Sequence, residues 1–325
     1  MDSPAAPPAT VRFRIPAIDV ARGVALAAMA IYHFAWDLEF FGYADPGMTA
    51  QGGWKFFARA IASSFLFLVG VSLFLGHGDG IRWPSFWRRF AMVAGAAAAI
   101  TLATWFAIPQ GFIFFGILHQ IALASLLGLA FLRLPWPLLL VLAAAFVAAP
   151  HFLRAEAFDH PVWWWSGLSL AMPRSNDYVP VFPWFGAVLC GMAAARLAKA
   201  SGALETLAGV PLPRWSGVLG LAGRHSLLVY LVHQPVLIAA LFVFSQVAPP
   251  ESETLQVQFR QSCEARCAQD RGEEFCAFYC MCVLDEIERE NMLDAVFSER
   301  QDAATEAKVD EIATACVGSA LERGG

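Results

Sequence analysis

"IDVARGVALAAMAIYHFAWDL", residues 18–38, decides the fold. As a helix at about 1.5 Å per residue it is long enough to cross the ~30 Å hydrocarbon core of a bilayer. Yet Asp19, Arg22, His33 and Asp37 interrupt it. Spaced by threes and fours, Asp19, Arg22, Leu26, Met29, His33 and Asp37 form one stripe along the helix. Ionisable groups inside a membrane helix are costly and face a bundle interior or a water-filled path. The stretch therefore predicts one helix of a polytopic bundle, with Arg22 near one mouth and His33 and Asp37 about 16 Å further along.

The rest of the chain agrees. Of 325 residues, 58% are hydrophobic and only 15% charged, a balance that excludes an ordinary soluble domain. Apolar runs recur at roughly 17–38, 56–76, 88–108, 112–132, 136–151, 179–197 and 217–246, each near bilayer-crossing length, the fifth being the shortest. The fold class is all-α, a bundle of about seven transmembrane helices with a small helical domain after it. No internal repeat is visible.

Basic residues orient the bundle. With a cytoplasmic N-terminus, Arg12, Arg14, Arg82, Arg88, Arg89, Arg133, Arg196, Lys199 and Arg214 fall inside, and Lys55, Arg59, Arg154 and Arg174 outside. Arg88 and Arg89 read as topogenic charges. Residues 1–16 then form a cytoplasmic leader, 17–248 the membrane domain, and 249–325 an extracytoplasmic tail, periplasmic if the membrane is a bacterial inner membrane. "PVWWWSGL", residues 161–168, suits an outer aromatic belt.

Residues 251–325 carry 17 acidic and 7 basic side chains and hold six of the seven cysteines. "CEARC" and "CAFYC" are both C-x3-C, which puts each pair on one helical face, and a turn signal at Arg271-Gly272 lies between them. An antiparallel hairpin aligns Cys263 with Cys280 and Cys267 with Cys276, leaving Cys282 for Cys316. An oxidising compartment favours these three disulfides; four cysteines in a tetrahedral zinc site are the alternative. Leu284, Ile287, Met292, Val296 and Phe297 offer helically spaced apolar surface to bury against the membrane domain or a protein partner. No metal and no nucleic-acid partner is expected.

Other polar residues sit in apolar runs. His119, in "GILHQIALAS", enters the fourth helix from outside at about the depth of His33, and "GRHSLLVYLVHQPV" puts His225 inward and His233 near mid-depth. Histidines 33, 119 and 233 can thus converge at a similar depth, their lateral proximity being unreadable from sequence, and Asp37 could orient His33 as a carboxylate does in a hydrolytic triad. Each histidine has a plainer reading as a hydrogen-bonded packing residue, and Arg22 with Asp19 has one as an anchoring ion pair. His77, His151 and His160 lie in loops or at helix ends and add no signal.

The segments "IDVARGVALAAMAIYHFAWDL", "GILHQIALASLL", "FPWFGAVLCGMAAARL" and "GRHSLLVYLVHQPVL" span most of residues 18–237. They resemble short bacterial members of the heparan-alpha-glucosaminide N-acetyltransferase catalytic-domain family, and more distantly the acyltransferases that modify surface polysaccharides. The resemblance implies an enzyme that takes an acyl group, acetyl above all, from cytosolic acyl-CoA to an acceptor outside, typically a sugar of the envelope. A membrane histidine would serve as acylated intermediate or as general base. Asp19, Arg22 and Gly23 match the opening motif, His33 and Asp37 the His-Phe-x-Trp-Asp that follows, His119 the Gly-Ile-Leu-His segment, and Arg224, His225, Ser226, Tyr230 and His233 the closing one. The cysteine-rich tail lies outside the family pattern.

The candidate catalytic residues are accordingly His33, Asp37, His119 and His233. Arg22, Arg224, His225 and Ser226 are candidates for holding the acyl-CoA, whose phosphates need cations at the inner mouth. Two other classes compete: a proton-coupled transporter, because membrane His and Asp chains also relay protons, and an accessory subunit that docks to a larger complex through its tail.

Overall fold

The structure, a computed structural model, describes residues 15–45, 47–171, 173–250, 255–268, 271–297 and 303–323. Most of the expected leader, with Arg12 and Arg14, lies outside them. The chain forms two compact units, Met1–Gln246 and Val247–Gly325.

The first unit contains helices α1 (Pro16–Phe40), α2 (Gly52–His77), α3 (Trp83–Ala107), α4 (Ile117–Phe131), α5 (Trp136–Leu153), α6 (Val181–Ala200), α7 (Ala203–Gly209), α8 (Ser216–Arg224) and α9 (Ser226–Val247). Among the described residues six of these are long and apolar enough to cross a membrane. Helix α4 is the seventh apolar helix, at 15 residues. Large apolar side chains such as Val141, Val218 and Val243 remain exposed on the unit's surface, as a lipid-facing surface requires. The protein is a membrane protein.

The structure corrects two of the expected spans. Residues 112–116 do not extend α4: they run as a loop pinned by a bridge between Phe115 and Tyr178, and α4 starts at Ile117. The last span is two helices, broken at His225, whose backbone (φ −106°, ψ 31°) leaves the helical region.

Lipid tails are as apolar as leucine, so membrane helices associate through close packing of small residues more than through water exclusion. Helix α6 lies against α2 and α5 in the largest core, where Leu66, Leu139, Phe185, Val188, Leu189 and Met192 are fully buried. A methyl group built on Gly70 would collide with the Val188 backbone, and one on Gly191 with the Phe67 backbone. Helices α1 and α8 do the same: Gly23 would strike the Leu219 carbonyl and Gly223 the Asp19 carbonyl. The Arg-Gly and Gly-Arg pairs of the sequence are therefore two halves of one backbone-to-backbone contact.

The second unit contains α10 (Leu255–Cys267), α11 (Glu273–Arg289), α12 (Leu293–Val296) and α13 (Ala303–Arg323). Disulfides join Cys263 to Cys280, Cys267 to Cys276 and Cys282 to Cys316. The first two staple α10 to α11 in antiparallel register, and the third ties α11 to α13. Val283, Ile287, Ile312 and Cys316 make its small core, with Met292 and Val296 packed against it. Phe297 does not join that core. It is 39% exposed and follows the end of the four-residue α12.

So few buried residues give the staples a large share of the tail's stability. Opening the 34-residue Cys282–Cys316 loop is expected to cost about 4 kcal/mol through the unfolded state's regained entropy. The double variant Cys282→Ser/Cys316→Ser should make the tail a protease substrate at temperatures where the parent resists digestion. Equal digestion rates would show that the helices hold without that staple.

Candidate active site

Contacts rise in step along two partners: Val20 meets Gly220, His33 meets His233, Asp37 meets Gln234 and Tyr43 meets Phe244. Helices α8 and α9 therefore run alongside α1 in the same direction. The break at His225 changes how they meet it. Helix α8 lies on α1 through glycine, whereas α9 meets α1 through long polar and aromatic side chains. Polar side chains cluster along that second seam.

Four side chains define the cluster. The His33 and His233 rings stand edge to face with centroids 5.0 Å apart. Asp37 is fully buried, and its Oδ1 accepts from Gln234 Nε2 at 2.6 Å. His233 Nδ1 lies 2.6 Å from the Tyr230 carbonyl oxygen. A carbonyl only accepts, so Nδ1 carries the proton and Nε2 bears the free lone pair. That Nε2 is buried with no partner among the described residues, as are Asp37 Oδ2 and Gln234 Oε1.

The expected triad is not formed. Asp37 bonds Gln234 rather than His33, and His33 makes no hydrogen bond among the described residues. The helical offset explains this: α9 supplies an amide donor at the level of Asp37, and a short, direct amide–carboxylate bond satisfies that oxygen first. The carbonyl of Tyr230 orients His233 in place of a carboxylate.

His119 makes no hydrogen bond or ring contact with either histidine of the pair among the described residues. Its Nδ1 accepts from Gly116 N–H (3.2 Å), so Nε2 carries the proton and donates to Thr101 Oγ1 (3.1 Å), whose own hydroxyl donates to the Ile113 carbonyl (2.7 Å). Both nitrogens are used, and His119 caps the start of α4. Asp177 completes that cap by accepting from Ile117 N–H at 2.9 Å. Burial pushes the Asp177 carboxyl above its ordinary range against the pull of that amide. This is a structural corner, built to hold α4 to the loop before α6.

The Asp19 end is cationic. Arg22 pairs with Asp19 (3.0 Å) and donates to Ser72 Oγ on α2 (2.5 Å). Ser72, His77, Arg89 and Ser125 line a small cleft of about 30 Å³ between α2, α3 and α4, walled by Phe86 and Phe90. Arg89, read from sequence as topogenic, thus lines this cleft while staying exposed, because α3 starts at Trp83, a turn earlier than its apolar run. Arg224 lies elsewhere, in a groove with Arg214, Pro16, Val20 and Asp19, and His225 at the helix break is exposed while Ser226 opens α9. Asp19 therefore stands between two basic regions, and Arg22 and Arg224 do not share one.

Sequence reasoning missed Gln234, although a glutamine beside a histidine inside an apolar run is itself a polar signal. It also missed Arg89 and Ser72, whose relevance depends on how three helices meet.

Among the described residues, no group of three or more His, Cys, Asp or Glu side chains is arranged to hold a metal ion. No curated protein and no solved structure matches the chain. The profile of the family described as heparan-alpha-glucosaminide N-acetyltransferase, catalytic, matches residues 14–235, which takes in α1 through the first half of α9, the cationic cleft and the histidine pair. The chain belongs to that family, and its membrane domain is of the membrane acyltransferase type.

Proposed function

We propose that the protein moves an acetyl group from acetyl-CoA, reached at the Asp19 end of the bundle, to an amine or hydroxyl acceptor reached at the Asp37 end, such as a cell-envelope sugar. The observation that carries this reading is the buried, unpartnered Nε2 of His233. A neutral imidazole held by one nitrogen and free at the other is a base or nucleophile ready for use. As base it takes the acceptor's proton while the acceptor attacks the thioester carbonyl carbon. The carbon–sulfur bond breaks, and the proton passes to the departing thiolate. The same lone pair would carry the acyl group if transfer ran in two steps. His33, one ring away, completes the pair.

Arg22, Arg89 and His77 fit the donor's anionic end. Guanidinium groups suit phosphate oxygens in number and direction, and Ser72 couples Arg22 to the cleft that Arg89 lines. Arg224 of the neighbouring groove can reach phosphates that extend past the cleft. Basic residues at the Asp19 end support a cytoplasmic placement for it, and the disulfides support a periplasmic tail, as in a bacterial inner membrane. The tail then stands where an envelope partner could dock.

Purified protein given acetyl-labelled acetyl-CoA and glucosamine as a probe acceptor should release labelled N-acetylglucosamine. Arg89→Ala should raise KM for acetyl-CoA about 10-fold through loss of one charge-assisted contact, with the glucosamine KM little changed. Wild-type protein that neither hydrolyses nor transfers from the thioester would remove the reading, and proton-coupled transport in its place would favour the transporter.

A further inference from the structure

We infer that Gln234 is an acceptor-contacting residue and Asp37 its positioning residue: the carboxylate fixes the Gln234 amide so that its carbonyl oxygen, not its NH2, meets the incoming acceptor. The inference rests on the acyltransferase reading and adds to it what selects the acceptor.

The amide has two ends of opposite character, and its neighbour decides which is used. Gln234 Nε2 donates to Asp37 Oδ1 at 2.6 Å. A carboxylate oxygen only accepts, so the amide does not turn over while Asp37 is ionised. Its Oε1 is left buried without a partner among the described residues, as are the remaining Asp37 oxygen and the Nε2 of His233, the residue next to Gln234. Three unmatched buried atoms along one helix seam are thus all hydrogen-bond acceptors.

A site of that kind is complementary to a group that brings several N–H or O–H donors. A primary amine on a hydroxyl-bearing ring has them. A thioester carbonyl and sulfur have none, so the same atoms do nothing for the reacting end of the donor. Sites that hydrogen-bond a substrate donor reject analogues lacking it far more sharply than apolar pockets reject a missing methylene. Gln234 therefore bears on the acceptor, and the signature is a rise in acceptor KM that the acyl-CoA KM does not share.

Asp37→Asn keeps the shape but lets either amide face the other in either sense, so the Gln234 carbonyl is no longer held as the free acceptor. Gln234→Met removes the carbonyl at similar volume, and it carries the test alone if Asp37→Asn does not fold. Each is expected to raise the glucosamine KM about 5- to 10-fold, the range for one lost hydrogen bond, with the acetyl-CoA KM within about 2-fold. The double variant Asp37→Asn/Gln234→Glu reverses the pair. The amide introduced on α1 can then donate to one oxygen of the carboxylate introduced on α9, while the other oxygen stays free as an acceptor, and the glucosamine KM should fall back toward wild type. A merely structural pair would lower thermal stability and kcat without splitting the two KM values. Acetyl-CoA turnover with a glucosamine KM indifferent to both single changes overturns this role alone. No acetyl-CoA turnover in the wild type overturns the acyltransferase reading and this role with it.

Discussion

Replacing His233 by alanine is expected to lower kcat for acyl transfer by on the order of 10³-fold, the middle of the range for losing a positioned base. The expectation comes from proton bookkeeping at two nitrogens. The Tyr230 carbonyl accepts a hydrogen bond from Nδ1–H, so Nε2 is the free position, and it is buried without a partner among the described residues. His233→Asn sharpens the test. Its side-chain NH2 can still donate to the Tyr230 carbonyl, yet nothing stands in for Nε2. It should be as inactive as His233→Ala while melting near the wild-type temperature. His119→Gln should behave in the opposite way, because both nitrogens of His119 already serve the start of α4. Its loss should appear mainly in stability. If His119→Gln abolished transfer in a well-folded protein and His233→Asn did not, the assignment would be reversed.

The second large effect is structural. Gly223→Leu should prevent recovery of folded protein, and even Gly223→Ala should lower its melting temperature clearly. A β-carbon at 223 would strike the Asp19 carbonyl and the Gly23 amide, which are backbone and cannot rotate aside as a side chain can. Overpacking of this kind costs about 1–3 kcal/mol, and more when the backbone must move. Gly217, six residues earlier on the same helix, is the control. A β-carbon there meets nothing within 4 Å, so Gly217→Ala should be neutral or stabilising by up to about 1 kcal/mol from helix propensity. Equal melting temperatures for the two alanine variants, measured by scanning fluorimetry in one detergent, would show that α1 and α8 are not in backbone contact.

These two results divide what the sequence could reveal. Apolar run length gives away membrane helices, because a bilayer sets their length whatever they pack against, and six of the expected spans are single helices near their expected places. The failures are local and have physical causes. Residues 112–116 are as apolar as a helix, yet Gly111 and Gly116 admit close approach by Asn176 and Asp177, and loop-to-loop bonds win there. The break at His225 falls in the polar stretch Gly223-Arg224-His225-Ser226, which the apolar residues on both sides make look like part of one helix.

For the site, the histidines were legible by type, as polar residues in apolar runs. Their roles were not, because a role depends on which nitrogen is free, and that is set by neighbours such as Thr101 and the Tyr230 carbonyl. Asp37 illustrates the same limit. Its spacing from His33 points to one partner, and α9 supplies another, Gln234. The tail cysteines were the reverse case: equal C-x3-C spacing about a turn fixes an antiparallel register, and the disulfides of α10 and α11 lie in that register.

The central claim is that one bundle joins a donor cleft at the Asp19 end to a histidine pair open toward the Asp37 end. The direct measurement uses sealed vesicles containing the purified protein, with acetyl-labelled acetyl-CoA on one side and glucosamine only on the other. The account predicts labelled N-acetylglucosamine in the compartment that never held acetyl-CoA, abolished by His233→Asn. Product formed only when donor and acceptor share a compartment would contradict it.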